Sequence, residues 1–227
     1  EVFATLAGLS ITQLRDVDTL ELGSGHSRPL TLAHWRALGT LVGCGSLPML
    51  ESLDIEGYDC GGKGVVLLAA GLRRCGLPSL CNLRFASLNI GDQAAAALAA
   101  ALTIRAVPAL LSIHLDDNQI GDVGMLALVP ALRQLPLTTL NMGGNQIGDQ
   151  GLAALIAQPM AGVFESLESL DLCRNRITDA GCAALTSALR SGALPALQQV
   201  DLREDDDTDG GPAHEEIFAA RAGLELA

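Results

Sequence analysis

Three sets of residues in this chain have types and spacings that suggest chemistry. The run Asp205-Asp-Asp207-Thr-Asp209-Gly210-Gly-Pro-Ala-His-Glu-Glu216 has carboxylates at alternate positions, then a glycine and a closing glutamate. That is the pattern of an oxygen-lined calcium loop, with Asp205, Asp207, Asp209 and Glu216 as ligands. Its surroundings argue otherwise. Such a loop needs a helix before it, whereas Val200 to Leu202 alternates like a strand, and Pro212 stands where an apolar residue normally pairs with a sister loop. A solvated acidic turn is the expected reading. The cysteines are Cys44, Cys60, Cys75, Cys81, Cys173 and Cys182, with no CxxC pair to signal zinc or a redox motif. Histidines 26, 34, 114 and 214 are scattered, and no Ser/His/Asp set or phosphate loop appears. No cofactor and no catalytic residue is expected, so the chain reads as a non-enzyme.

Composition narrows the class. Apolar residues make up 49% of the chain but aromatics only 3%, so any core must be built from Leu, Ala, Ile and Val. Thin repeated layers suit that supply. The net charge of -12 speaks against sequence-independent binding to nucleic acid, which rests on excess Lys and Arg. A basic protein partner is easier to accommodate. The longest apolar stretch, Ala94 to Ile104, is too short for a membrane span of about 20 residues.

The elements that would position these residues repeat. Leu110-Leu-Ser-Ile-His-Leu-Asp-Asp-Asn-Gln-Ile120, Leu137-Thr-Thr-Leu-Asn-Met-Gly-Gly-Asn-Gln-Ile147 and Leu167-Glu-Ser-Leu-Asp-Leu-Cys-Arg-Asn-Arg-Ile177 all fit LxxLxLxxNxI. Each is followed by Gly-Asp or Thr-Asp and then by Gly124, Gly151 or Gly181 at a fixed offset. Weaker copies lie on both sides. The second apolar anchors are Leu20, Leu53, Leu83, Ile113, Leu140, Leu170 and Val200, at spacings of 33, 30, 30, 27, 30 and 30. The LxL half has the period of a half-buried strand. The second half repeats Ala-Leu pairs four residues apart, as in Ala127-Leu128 and Ala131-Leu132, which is helical. Pro48, Pro78, Pro108, Pro136 and Pro195 follow the helices and are expected to stop them.

No single strand–turn–helix unit can bury its own apolar side, so the units must stack. The expected fold is α/β: a curved solenoid, or horseshoe, with parallel strands on the concave face and helices on the convex face. Residues 1–16 read as the tail of a truncated repeat, and 17–202 as the solenoid of about seven strand units. Residues 203–227 read as an acidic turn and a capping helix. The chain begins at Glu1 rather than Met and shows no leader pattern, so a fragment, or an upstream neighbour over the first layer, is expected. The extra residues between Leu20 and Leu53 fall in the loop Gly23 to Pro29, expected to bulge at the edge. The cysteines fall into the repeat at places suited to small apolar groups, so reduced, buried thiols in a cytoplasmic protein are expected, only Cys173 facing outward.

The repeat resembles the ribonuclease-inhibitor-like leucine-rich repeats, also seen in NOD-like receptors and Ran GTPase-activating proteins. The resemblance covers roughly Val17 to Leu202 and is sharpest from Leu110 to Leu189. The turn asparagine of that pattern is present as Asn118, Asn145 and Asn175, whose side chains can satisfy turn backbone groups. Gly25, Tyr58, Leu88 and Asp205 stand in its place elsewhere, so the first three turns are expected to be irregular.

The functional expectation is a protein-binding scaffold or regulatory module that recognises a partner with a basic surface. Alternate strand residues face outward. Glu21, Asp54, Glu56, Arg84, His114, Asp116, Asn141, Asp171, Asp201 and Arg203 therefore form a mostly acidic concave face, with Tyr58 and Arg28 on its rim. The alternative is a GTPase activator resembling Ran GTPase-activating protein, for which Arg28 is the one residue to test.

Overall fold

The computed structural model describes residues 15–22, 30–57, 62–157 and 164–203. Seven strands form one parallel sheet in strict chain order: β1 (Thr19–Leu22), β2 (Ser52–Glu56), β3 (Asn82–Ala86), β4 (Ser112–His114), β5 (Thr139–Asn141), β6 (Ser169–Asp171) and β7 (Gln199–Asp201). Helices α1 (Leu32–Gly43), α2 (Lys63–Leu72), α3 (Asp92–Ala99), α4 (Asp122–Leu132), α5 (Asp149–Ile156) and α6 (Asp179–Arg190) alternate with them. The repeat anchors pair in register from Leu20 through Leu53, Leu83, Ile113, Leu140 and Leu170 to Val200. The expected α/β leucine-rich-repeat solenoid is the fold, and its sheet does not close.

The sheet and helix layers meet in one continuous core of Leu, Ile, Val and Ala. Its one aromatic contact within the described residues is Trp35 edge-on to Phe85, centroids 6.2 Å apart at 75°. Each strand buries alternate residues and leaves the others part-exposed, which is how the concave face arises.

Neighbouring units are stitched in two ways. Between α1 and α2 the backbones touch through glycines. A Cβ on Gly71 would lie 2.1 Å from the carbonyl oxygen of Gly39, and one on Gly64 would lie 2.5 Å from the Trp35 ring. From α3 onward, side-chain hydrogen bonds are added to the contact between helices. Asp92 Oδ1 accepts from the N–H groups of Gly121 (2.7 Å) and Gly124 (3.0 Å), and Asp122 Oδ1 accepts from Gly148 (2.7 Å) and Gly151 (2.8 Å). Gly121 and Gly148 are the N-caps of α4 and α5 and carry no cap of their own. Each helix start is thus capped by the aspartate of the preceding unit. The recurring glycine follows from this, since a Cβ on Gly124 or Gly151 would sit 2.6 or 2.7 Å from that carboxylate oxygen.

Two sequence expectations are corrected. The prolines do not stop the helices, which end at Gly43, Leu72, Ala99, Leu132 and Arg190, before the prolines of the return turns. Pro130 instead lies inside α4. Among the described residues the thiols are not buried: Cys44 and Cys75 are exposed and Cys81, Cys173 and Cys182 half-buried. Cys44 is the C-cap of α1, and Cys75 follows the end of α2, where the chain turns outward. No described helix is long and apolar enough to cross a membrane. The expectations for residues 1–14, the 23–29 loop and the 204–227 segment lie outside the described residues, as does that for Cys60.

Candidate functional site

The turn asparagines act between units. Asn118 Oδ1 accepts from Leu88 N–H (3.1 Å) and Ile90 N–H (2.9 Å) of the preceding turn. Its Nδ2 donates to the carbonyls of Phe85 (2.8 Å), Leu115 and Asp116 (both 3.0 Å). Asn145 serves Ile120 and Leu115 in the same way, and Asn175 serves Ile147 and Met142. The turn around Leu88, expected to be irregular for want of its own asparagine, is closed by the next unit's.

These stitches hold the concave side chains in three rows. The first, Thr19, Ser52, Asn82, Ser112, Thr139, Ser169 and Gln199, is uncharged. The second is mostly charged: Glu21, Asp54, Arg84, His114, Asn141, Asp171 and Asp201. The third begins with Glu56 beside Ala86. It continues at equivalent positions through Asp116, Gly143, Cys173 and Arg203, as the backbone bonds Ser87 N–H to Asp116 O and Asp117 N–H to Gly143 O indicate. Apart from Glu21, which is exposed, the charged and polar members of the last two rows are half-buried; Ala86 is buried. The structure therefore brings the expected concave residues into one surface. Arg28 and Tyr58 lie outside the described residues, as do Asp205, Asp207, Asp209 and Glu216.

The arginines on this face are already engaged. Arg84 lies 3.6 Å from both Asp54 and Glu56. The Arg203 guanidinium grips both carboxylate oxygens of Asp201. Burial raises the Asp54 carboxyl above its ordinary value, with Arg84 opposing. Burial lowers His114, against the pull of Asp116. Its Nε2 lies 2.8 Å from Ser112 Oγ.

Sequence reading gave none of these ion pairs, nor a further one between units. Arg174 reaches across β5 to Asp117, Nη2 to Oδ1 3.0 Å. The intervening position is Gly144, where a Cβ would lie 2.2 Å from that oxygen. The signal was present: Asp117, Gly144 and Arg174 each stand just before the turn asparagine. A second arrangement was also unforeseen. The ligand atoms of Asp171, Cys173 and Asp201 lie within 4.8 Å of one another, in a grouping that could hold a metal ion. Burial, then the neighbouring Asp171, pushes the Cys173 thiol up to about 11, so it stays protonated at neutral pH. With Asp201 clamped by Arg203, the three groups do not present a ready ligand set.

The Leucine Rich repeat family model matches residues 108–129, 135–155 and 165–185. No curated protein matches the chain. Among solved structures, it is similar to leiomodin-1 actin-binding site 2, with 14% identity over 84% of this chain and 89% of that one, TM-score 0.47. It is similar to InlP of Listeria monocytogenes, with 17% identity over 69% of this chain and 35% of that one, TM-score 0.39. The internalin InlF of the same organism shows 17% identity over 86% and 64%, TM-score 0.38. The matched repeats and the open seven-stranded parallel sheet define the class: the chain is an α/β leucine-rich-repeat solenoid.

Proposed function

We propose that this solenoid is a non-enzymatic protein-binding module that holds a basic partner against its concave face. The observation that carries the reading is the charged row running from Glu21 to Asp201 in unbroken register across all seven strands. Its two neighbours in the plane are an uncharged row and a row that adds Glu56, Asp116 and Arg203. Arg84 and Arg203 each answer acids already on the face, so the acids in excess of them are left to attract from outside. Such a field steers a basic partner and sets its register more than it sets affinity. A helix on each of the six complete described units, at a spacing near 30, supports the ribonuclease-inhibitor-like form of the repeat.

The test is charge-matched. Glu21→Gln with Asp171→Asn removes two negative charges from the concave face, while Gln93→Lys with Gln150→Lys adds two positive charges to exposed convex positions. Partners captured on the wild-type chain should bind the first variant about tenfold or more weakly and the second unchanged, with affinity falling as salt rises. Equal weakening by both variants would reduce the effect to net charge. No weakening by the first would remove the concave face from the interaction.

A further inference from the structure

The return turns hold a feature that the concave reading does not use. A cleft of about 330 Å³ lies between the C-terminal ends of α2 and α3. Its polar lining is Arg73, Arg74, Cys75, Thr103 and Arg105, and no Asp or Glu lines it. The three arginines are exposed. None makes an ion pair or a side-chain hydrogen bond within the described residues, unlike Arg84, Arg174 and Arg203.

The cleft exists because α3 ends at Ala99, and the chain then makes a separate tight turn from Thr103 to Val107. Thr103 Oγ1 accepts from Ala106 N–H at 3.2 Å, which fixes the turn and leaves the hydroxyl hydrogen available to donate. Arg73 is the C-cap of α2, where a cation complements the helix dipole. That accounts for Arg73, and for Arg74 beside it, but not for Arg105. Arg105 lies beyond the end of α3, on the far side of the opening from α2. Three arginines line one space in a chain of net charge -12, and like charges brought together there repel one another without a counter-ion. Their planar forks match phosphate oxygens, and a singly charged carboxylate would leave most of that charge unanswered. The volume sits at the low end of the roughly 300–1,000 Å³ range of small-molecule sites. At physiological salt, screening over about 8 Å makes these neighbours outweigh the distant acidic face.

We propose that this cleft binds a small ligand of the phosphate class, of two or more negative charges, held by Arg73, Arg74 and Arg105 with Thr103 donating from its hydroxyl. The site is separate from the concave face and does not depend on it.

Cys75 supplies the readout, because its exposed thiol lines the cleft. Alkylation of the folded chain by neutral iodoacetamide is followed at the Cys75 peptide by mass spectrometry, during titration with inorganic pyrophosphate at constant ionic strength. Cys182 on α6 serves as the reference thiol. Pyrophosphate should slow Cys75 saturably and leave Cys182 unchanged. Arg74→Gln with Arg105→Gln should weaken that protection about tenfold or more, each arginine giving up charge-assisted bonds. Circular dichroism should stay that of the wild type, since both side chains are exposed. The proposal is overturned by the absence of saturable protection below about 10 mM pyrophosphate, a very weak affinity. It is equally overturned by identical slowing at Cys182, or by undiminished protection in a folded double variant.

Discussion

The first units and the later ones solve the same stacking problem with different chemistry. Between α1 and α2, Gly39 and Gly71 let two backbones touch, and Trp35 lies flat over Gly64. Between α3 and α6, the aspartate of each unit caps the helix of the next, and the asparagine of each unit closes the turn before it. The first joint has no side-chain bond of that kind among the described residues, which show close backbone contact beside the β1–β2 ladder. The later joints are specified by hydrogen bonds and tolerate variation elsewhere. A constant period near 30 residues therefore does not imply a constant kind of interface.

The largest effect should come from the hydrogen-bonded half. Asn118→Ala removes five bonds and leaves the N–H groups of Leu88 and Ile90 and the carbonyl of Phe85 unpaired in a buried turn. At about 1–3 kcal/mol for each orphaned group, discounted for relaxation, urea denaturation should show a loss of about 3–4 kcal/mol. A loss below about 1 kcal/mol would mean that water takes over the turn and the contrast fails. Gly71→Ala comes next. Its new methyl group meets backbone that neither helix can move aside, and about 2–3 kcal/mol should be lost. The same change at Gly45, whose Cβ would meet nothing within 4 Å, is the control for backbone strain, since φ there is +65°. Asp122→Ala should cost about 1–2 kcal/mol, the ordinary worth of a helix cap, although the residue acts on the neighbouring unit's helix. A larger loss, with α5 unfolding separately by hydrogen exchange, would show the later joints to be less cooperative than the first.

The smallest effect lies on the seam between the halves. Burial depresses His114 below its ordinary value of 6.5, so the folded state favours the neutral ring. The unfolded chain then binds the proton more readily, and stability rises with pH across this window. The contribution is fully present above about pH 6.5 and is lost as pH falls through the depressed folded value. His114→Gln should flatten that slope in denaturation curves measured across the interval, and an unchanged slope would assign it to other groups.

How much of this was legible follows the same division. LxxLxLxxNxI and the trailing Asp and Gly gave strand register, turn positions and helix order, because a bond repeated between identical units leaves a periodic mark. The reason for Gly124, Gly151 and Gly181 was hidden until register put a carboxylate beside each. The Gly39–Gly71 approach left no periodic mark, since closeness of two helices is a tertiary property. The Arg174–Asp117 pair spans two units, and the shared place of its residues before the turn asparagine becomes a contact only once the units are stacked. Exposed Cys44 and Cys75 were misjudged for a related reason: small residues fit buried and turned-out positions alike, and only the path of the return turn separates them.

The reciprocity of the later joints has a further consequence. Each unit offers its neighbour one carboxylate forward and one amide backward, so any unit bearing the same pair presents compatible ends. A segment such as 113–139 could be duplicated between the fourth and sixth strands and meet matching surfaces on both sides. An insertion between α1 and α2 would separate two surfaces fitted only to each other. The molecule thus has joints into which a matching unit fits on both sides, and these lie on the asparagine-bearing side.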